Sequence, residues 1–226
     1  MLPNMVERFQ TNDIRVKDAD KAQIYERLFH GEAKSRKELL EKFKFRPTVL
    51  TLAIRELLDD GLITEGSRRR SPAGGRPEVE LAPNPNRLMA ICFHAESRHL
   101  KAALVNLKGD ILKEIGREFA GLGDGEAFLN LCRDHVRSLR SHMPGTAILA
   151  GIGMSLPGSV DTRAKTFNST YRWPKVRRLD LRPLEQEFQC SLHVRKDLDS
   201  VLENSMLGNP QLAAGNLISR QIVARN

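Results

Sequence analysis

Short side chains and a dense set of cations share one stretch of the chain, from Ser35 to Pro77. Thr48, Val49, Thr51 and Leu52 are small polar or apolar groups of the size that fits against base edges in a major groove. Arg36, Lys37, Lys44, Arg46 and Arg55 flank them and carry the charge to meet phosphates. Arg68, Arg69, Arg70 and Arg76 follow in a loop with two glycines, where guanidinium groups can reach a phosphate backbone or enter a minor groove. Base-sized side chains ringed by cations point to double-stranded DNA as the partner.

These residues work together only if helices hold them. Ser35 and Glu38 have the spacing of a capping box, which starts a helix running to about Phe43 with Leu39, Leu40 and Phe43 inside. Lys44 to Arg46 leaves room for only a tight turn, and Pro47 suits the first turn of the next helix. That helix is expected to run to Asp60, with Gly61 ending it. Leu50, Ala53, Ile54, Leu57 and Leu58 recur at helical spacing as its buried stripe, which leaves the base-sized residues on the other side. An earlier helix, from Asp18 to about His30, turns Ile24 and Leu28 to the same core. Strands at 62–64 and 78–81 then enclose the arginine loop. The sum is a winged helix-turn-helix over residues 18–82, preceded by a flexible arm at 1–17.

Composition sets the limits. The chain has 226 residues, 40% of them hydrophobic, enough for a real core. A formal charge of +8 favours a polyanionic partner, though basic enzymes also exist. Cys92, Cys132 and Cys190 lack metal-ligand spacing and read as reduced, packed thiols. With no membrane-length apolar run and no signal-peptide core, a soluble, cytoplasmic protein is expected. No Ser/His/Asp arrangement, paired carboxylates or Walker-type loop occurs, so neither an enzyme nor a cofactor or metal is expected.

Residues 83–87, with Pro83 and Pro85 among asparagines, read as a linker. From 88 to 226 the pattern is α/β. Strands at 88–93, 100–107 and 111–119 are joined by a turn at Lys108-Gly109-Asp110. A helix over 125–142 precedes an apolar central strand at 147–155, broken by Pro157-Gly158. Residues 161–180 look irregular and basic. A short helix at 184–188, a strand at 191–194 and a last helix at 198–207 complete the reading.

The order of these features resembles the ROK family (repressor, open reading frame, kinase). The residues that carry the resemblance are Gly74-Gly75-Arg76-Pro77, Asn84-Pro85, the Leu107-Lys108-Gly109 turn, Gly151 to Gly158, Asn168 with Trp173, and Val194 to Asp197. The resemblance implies an actin-like, ribonuclease-H-type lobe that senses a sugar or sugar phosphate through Asn168, Trp173 and Asp197. It also implies a transcriptional repressor of sugar-utilisation genes; one DNA-binding domain contacts few base pairs, so a homodimer on an inverted repeat is expected.

Three departures follow from the same comparison. Phe93-His94-Ala95-Glu96-Ser97 stands where the family's kinases carry a glycine phosphate loop, so ATP binding is not expected. Lys196-Asp197 replaces the family's Asn-Asp pair. The second lobe and its zinc motif are expected to be missing. The competing reading is a sugar kinase relative or fragment that uses Asp197 as the base.

Overall fold

The computed structural model describes residues 16–69, 77–96, 98–118, 124–171 and 173–197. They fall into two compact units, one reaching Leu88 and including Thr146–Ile148, the other comprising Met89–Gly145 and the chain from Leu149 on.

In the first unit, α1 (Val16–Phe29) sets Ile24 and Leu28 four positions apart on one stripe, and both are buried. Gly31, at φ 70°, ends it, with its N–H donating to the Leu28 carbonyl at 3.1 Å. Helix α2 (Arg36–Phe43) begins at Ser35, whose Oγ accepts the Glu38 N–H at 3.2 Å. The return half of the expected box is displaced by one residue: the Glu38 carboxylate accepts from the Lys34 N–H, also at 3.2 Å. Lys44 then takes the left-handed conformation, φ 54°, and turns the chain into α3 (Pro47–Asp59).

Leu50, Ala53, Ile54 and Leu57 of α3 are buried against α1 and the hairpin, and Leu58 packs at the edge of that core. Leu50, Ile54 and Leu57 each contribute about 1.5–3 kcal/mol on full burial. The helix ends with Gly61 at φ 71°; Gly61 and Leu62 donate their N–H groups to Leu58 and Leu57 at 2.9 Å. A Cβ at Gly61 would lie 3.2 Å from Arg87 Nε. Gly61→Ala is expected to lower stability by about 1–2 kcal/mol, from the left-handed backbone and the crowded guanidinium. The urea midpoint should fall with an unchanged m-value.

Strands β1 (Ile63–Arg69) and β2 (Glu78–Pro83) pair antiparallel, from Ile63 opposite Pro83 to Arg69 opposite Glu78. The pairing is longer than the sequence period showed. Leu62, Ile63 and Leu81 close the core shared with the helices.

The second unit is a mixed α/β arrangement on a five-stranded sheet. Its strands are β3 (Leu88–Ala95), β4 (His99–Asn106), β5 (Ile111–Glu118), β6 (Ile148–Leu156) and β10 (Ser191–Lys196), in the order β10-β6-β3-β4-β5. β3, β4 and β5 run antiparallel in turn, while β6 and β10 are parallel. The β4–β5 turn is built on Asn106, whose Oδ1 accepts the N–H groups of Lys108 and Asp110, both at 3.0 Å. Helix α4 (Gly125–Arg140) starts at Asp124, which accepts the Ala127 N–H at 2.9 Å. It lays Phe128, Leu129, Cys132, His135, Val136 and Leu139 against the sheet. Helix α5 (Arg182–Phe188) packs on β10.

The stretch expected to be irregular is a second, three-stranded sheet of β7 (Ser159–Asp161), β8 (Thr166–Ser169) and β9 (Leu179–Asp180). Asp161 Oδ1 accepts the N–H groups of Arg163 and Ala164 at 3.0 and 2.8 Å and folds the first turn. Gly158, at φ 92°, lets the chain leave β6: a Cβ there would fall 2.4 Å from the Ser169 carbonyl oxygen. The expected helix at 198–207 lies outside the described residues. Among those described, no helix is long and apolar enough to cross a membrane.

Candidate nucleic-acid interface

Because the apolar stripe of α3 faces inward, its opposite side is what the helix offers to solvent. Pro47, Thr48, Thr51, Leu52 and Arg55 line one shallow groove there. Val49 sits at the border, half-buried. Thr51 Oγ1 donates to the Pro47 carbonyl at 2.8 Å, which fixes the hydroxyl and leaves its lone pairs outward. Leu52 is 50% exposed, an apolar side chain in the middle of a polar face. Arg55 reaches Asp59 only at 3.9 Å, with both side chains largely in solvent.

The cations divide into two groups. Lys44 and Arg46 stand exposed in the turn before α3, and Arg68 is exposed on β1. Arg36 and Lys37 are instead tied to the hairpin. Arg36 Nη2 meets Glu65 at 3.0 Å, and Lys37 Nζ meets Glu78 at 3.2 Å. Glu78 also accepts the Ser35 hydroxyl at 2.8 Å. That hydroxyl, with the Lys37 ammonium, holds the Glu78 carboxyl below the usual carboxylate range. Such exposed pairs are weak in water and can be exchanged for phosphate oxygens. Arg69 lies on β1, while Arg70 and Arg76 fall outside the described residues.

Beneath this face is an ion cluster that the sequence reading did not find. Lys21 of α1 is 3% exposed, and its Nζ lies 2.7 Å from Asp60 Oδ2 and 3.4 Å from Glu56 Oε2. It fastens α1 to the end of α3. The signal was present: Lys21, Ile24 and Leu28 share one helical stripe, so a lysine on the buried face needed a carboxylate partner.

The expected sugar residues sit in the second unit. Asn168 lies on β8, and its carbonyl accepts the Arg178 N–H at 2.9 Å. Asp197 directly follows β10, the strand against which β7 packs, and Lys196 lines a shallow cleft with Gly158, Ser159, Val160 and Thr162. Trp173 is 3% exposed, with ring centroids 5.6 Å from Phe128 and 5.5 Å from Phe167. Its ring is a packing anchor between α4 and β8, not an open stacking platform. Cys132 and Cys190 are buried, which pushes the Cys190 thiol up to about 11 and raises Cys132 further.

No protein-family model matches the chain, and no curated protein matches it. Solved structures do match, ROK family proteins among them. A ROK family transcriptional regulator, a homologue of the E. coli Mlc protein, is 22% identical with a TM-score of 0.62, over 80% of this chain and 46% of that one. A putative N-acetylmannosamine kinase from Listeria monocytogenes is 21% identical with a TM-score of 0.41, over 48% of this chain and 35% of that one. A ROK family protein from Streptococcus pneumoniae TIGR4, solved with sucrose, is 18% identical with a TM-score of 0.44, over 54% and 39%. The chain thus spans less than half the length of the structures it resembles. The mixed sheet of the second unit is consistent with the actin-like ROK fold, and the chain shares a fold, over 80% of its residues, with a solved structure of that family.

Proposed function

We propose that this protein is a sequence-specific DNA-binding transcriptional regulator, a repressor of sugar-utilisation genes that acts in the cytoplasm. The first unit is a winged helix-turn-helix: α3 enters the major groove with Thr48, Val49, Thr51 and Leu52 toward the bases. Lys44, Arg46 and Arg55 meet phosphates, joined by Arg36 and Lys37 once these exchange their carboxylates. The β1–β2 hairpin is the wing, carrying Arg68, Arg69, Arg70 and Arg76. The observation that carries this reading is the solvent face of α3, where an exposed leucine lies between threonines and an arginine, backed by a fully packed stripe.

One such unit contacts few base pairs, so a homodimer on an inverted repeat is part of the reading. The second unit senses a sugar or sugar phosphate through Asn168 and Asp197. The protein is read as a regulator rather than an enzyme. Phe93, His94 and Ala95 continue β3 as ordinary strand residues, where a phosphate cradle would need glycine. Transfer of phosphate from ATP to a hexose, abolished in Asp197→Ala, would overturn that part.

The test is a fluorescence-anisotropy titration against DNA fragments from the region upstream of the protein's own reading frame, across salt and with candidate sugars. Specific, salt-sensitive binding weakened by a sugar is the expected result; binding no tighter than to scrambled DNA would refute the reading. Loss of Arg68 should weaken binding to every sequence alike and flatten the salt dependence by about one unit of slope. A variant lacking all four wing arginines that keeps the full slope would remove the hairpin from the interface.

A further inference from the structure

We infer that Asn84 and Arg87 form a clamp on the C-terminal end of α3 and set the angle at which its exposed face meets DNA. The inference rests on the DNA-binding reading above and assigns positioning residues outside the reading surface. Three successive carbonyls directly after α3, from its C-cap Asp60 to Leu62, each receive a donor from this later segment. Arg87 Nε donates to the Asp60 carbonyl at 2.7 Å, Asn84 Nδ2 to the Gly61 carbonyl at 3.0 Å, and the Asn84 N–H to the Leu62 carbonyl at 2.8 Å. The clamp is braced from within: the Asn86 N–H donates to Asn84 Oδ1 at 3.2 Å, and the Arg87 N–H to the Asn84 carbonyl at 3.3 Å. Gly61 admits the guanidinium, since any Cβ there would crowd Arg87 Nε.

The charge pattern calls for such a device. The last turn of α3 has no basic residue of its own and ends in Asp59 and Asp60, at the pole where a helix carries partial negative charge. Arg87 brings the missing cation from 27 residues further along the chain, while Lys21 takes the Asp60 carboxylate. Leverage makes the contact matter for recognition. Thirteen helical residues span about 20 Å, so a tilt of about 5° at the clamped end moves the first turn by roughly 1.7 Å. That is enough to take Thr48 and Thr51 out of hydrogen-bonding range of a base edge.

The experiment has two arms on the full chain. Without DNA, amide exchange over Asp60–Leu62 should be at least about tenfold faster in Arg87→Gln, and close to wild type in Arg87→Lys, which keeps a cationic donor. With DNA, Arg87→Gln should lose about tenfold in specific affinity, the loss expected when one base contact is misplaced. Its non-specific affinity and far-ultraviolet circular dichroism should hold. Asn84→Ala, which removes one donor and the acceptor that braces Asn86 but no charge, should shift both readouts the same way by less, and serves if Arg87→Gln folds poorly. Unchanged exchange in both variants would overturn the clamp. Faster exchange with an unchanged ratio of specific to non-specific affinity would overturn its role in aiming α3. A wild-type chain without specific binding would remove the DNA-binding reading, and the aiming role with it, whatever the exchange shows.

Discussion

Replacing Lys21 by methionine is expected to lower the unfolding free energy by about 3–5 kcal/mol, the cost of leaving a buried charge without its partner. Methionine fills the space of the lysine stem, so the loss is electrostatic rather than a cavity. Asp60, 7% exposed, would lose the ammonium paired with its carboxylate, and Glu56 close by would add repulsion. Asp60→Leu alone should also destabilise, because it strands the ammonium. The double variant Lys21→Met/Asp60→Leu should recover most of the loss, since an apolar pair can replace a buried ion pair at little cost. Urea unfolding of the three variants beside the wild type measures the coupling directly. Single losses that simply add in the double variant would mean that the two charges do not interact in solution.

Periodicity and punctuation explain why much of this architecture could be read beforehand. The α3 stripe of Leu50, Ala53, Ile54 and Leu57 is a 3.6-residue pattern with Pro47 at one end and Gly61 at the other, so existence, direction and inner face were all legible. The apolar alternation of β3 and β4, and the long apolar run of β6, were legible for the same reason. The small β7-β8-β9 sheet was not, because strands of two to four residues are too short to display a period. Side-chain partners across the chain were the hardest to foresee. Lys21 and Asp60 lie 39 positions apart, and nothing local in either says that they meet. Arg36 and Lys37 read as plain phosphate ligands, yet fold against Glu65 and Glu78 of the hairpin, a pairing set by the antiparallel register. Trp173 shows the opposite difficulty: a lone indole suits a sugar or a core equally well from sequence, and only the positions of Phe128 and Phe167 settle its packing.

Leu52→Glu should lower specific DNA affinity by more than about 100-fold while leaving the fold intact. Two terms act together. The leucine's apolar contact with a thymine methyl or sugar face is lost, worth about 1–3 kcal/mol as a base-discriminating contact. A carboxylate is then set among phosphates, where like-charge apposition costs several kcal/mol more. Their sum exceeds 2.7 kcal/mol, which is about 100-fold in a dissociation constant. Stability should change by less than about 0.5 kcal/mol, because the side chain already stands half in water and glutamate is a good helix former. Leu52→Ala separates the terms, since it removes the apolar contact without adding charge and should cost only about 5–10-fold. Non-specific affinity should fall modestly for Leu52→Glu and hold for Leu52→Ala, because phosphate contacts carry that mode and respond to charge. Anisotropy titrations of both variants with specific and scrambled duplexes at one salt concentration give all four numbers. Equal affinities of Leu52→Glu and wild type for the specific duplex would place the solvent face of α3 away from DNA, however basic its surroundings.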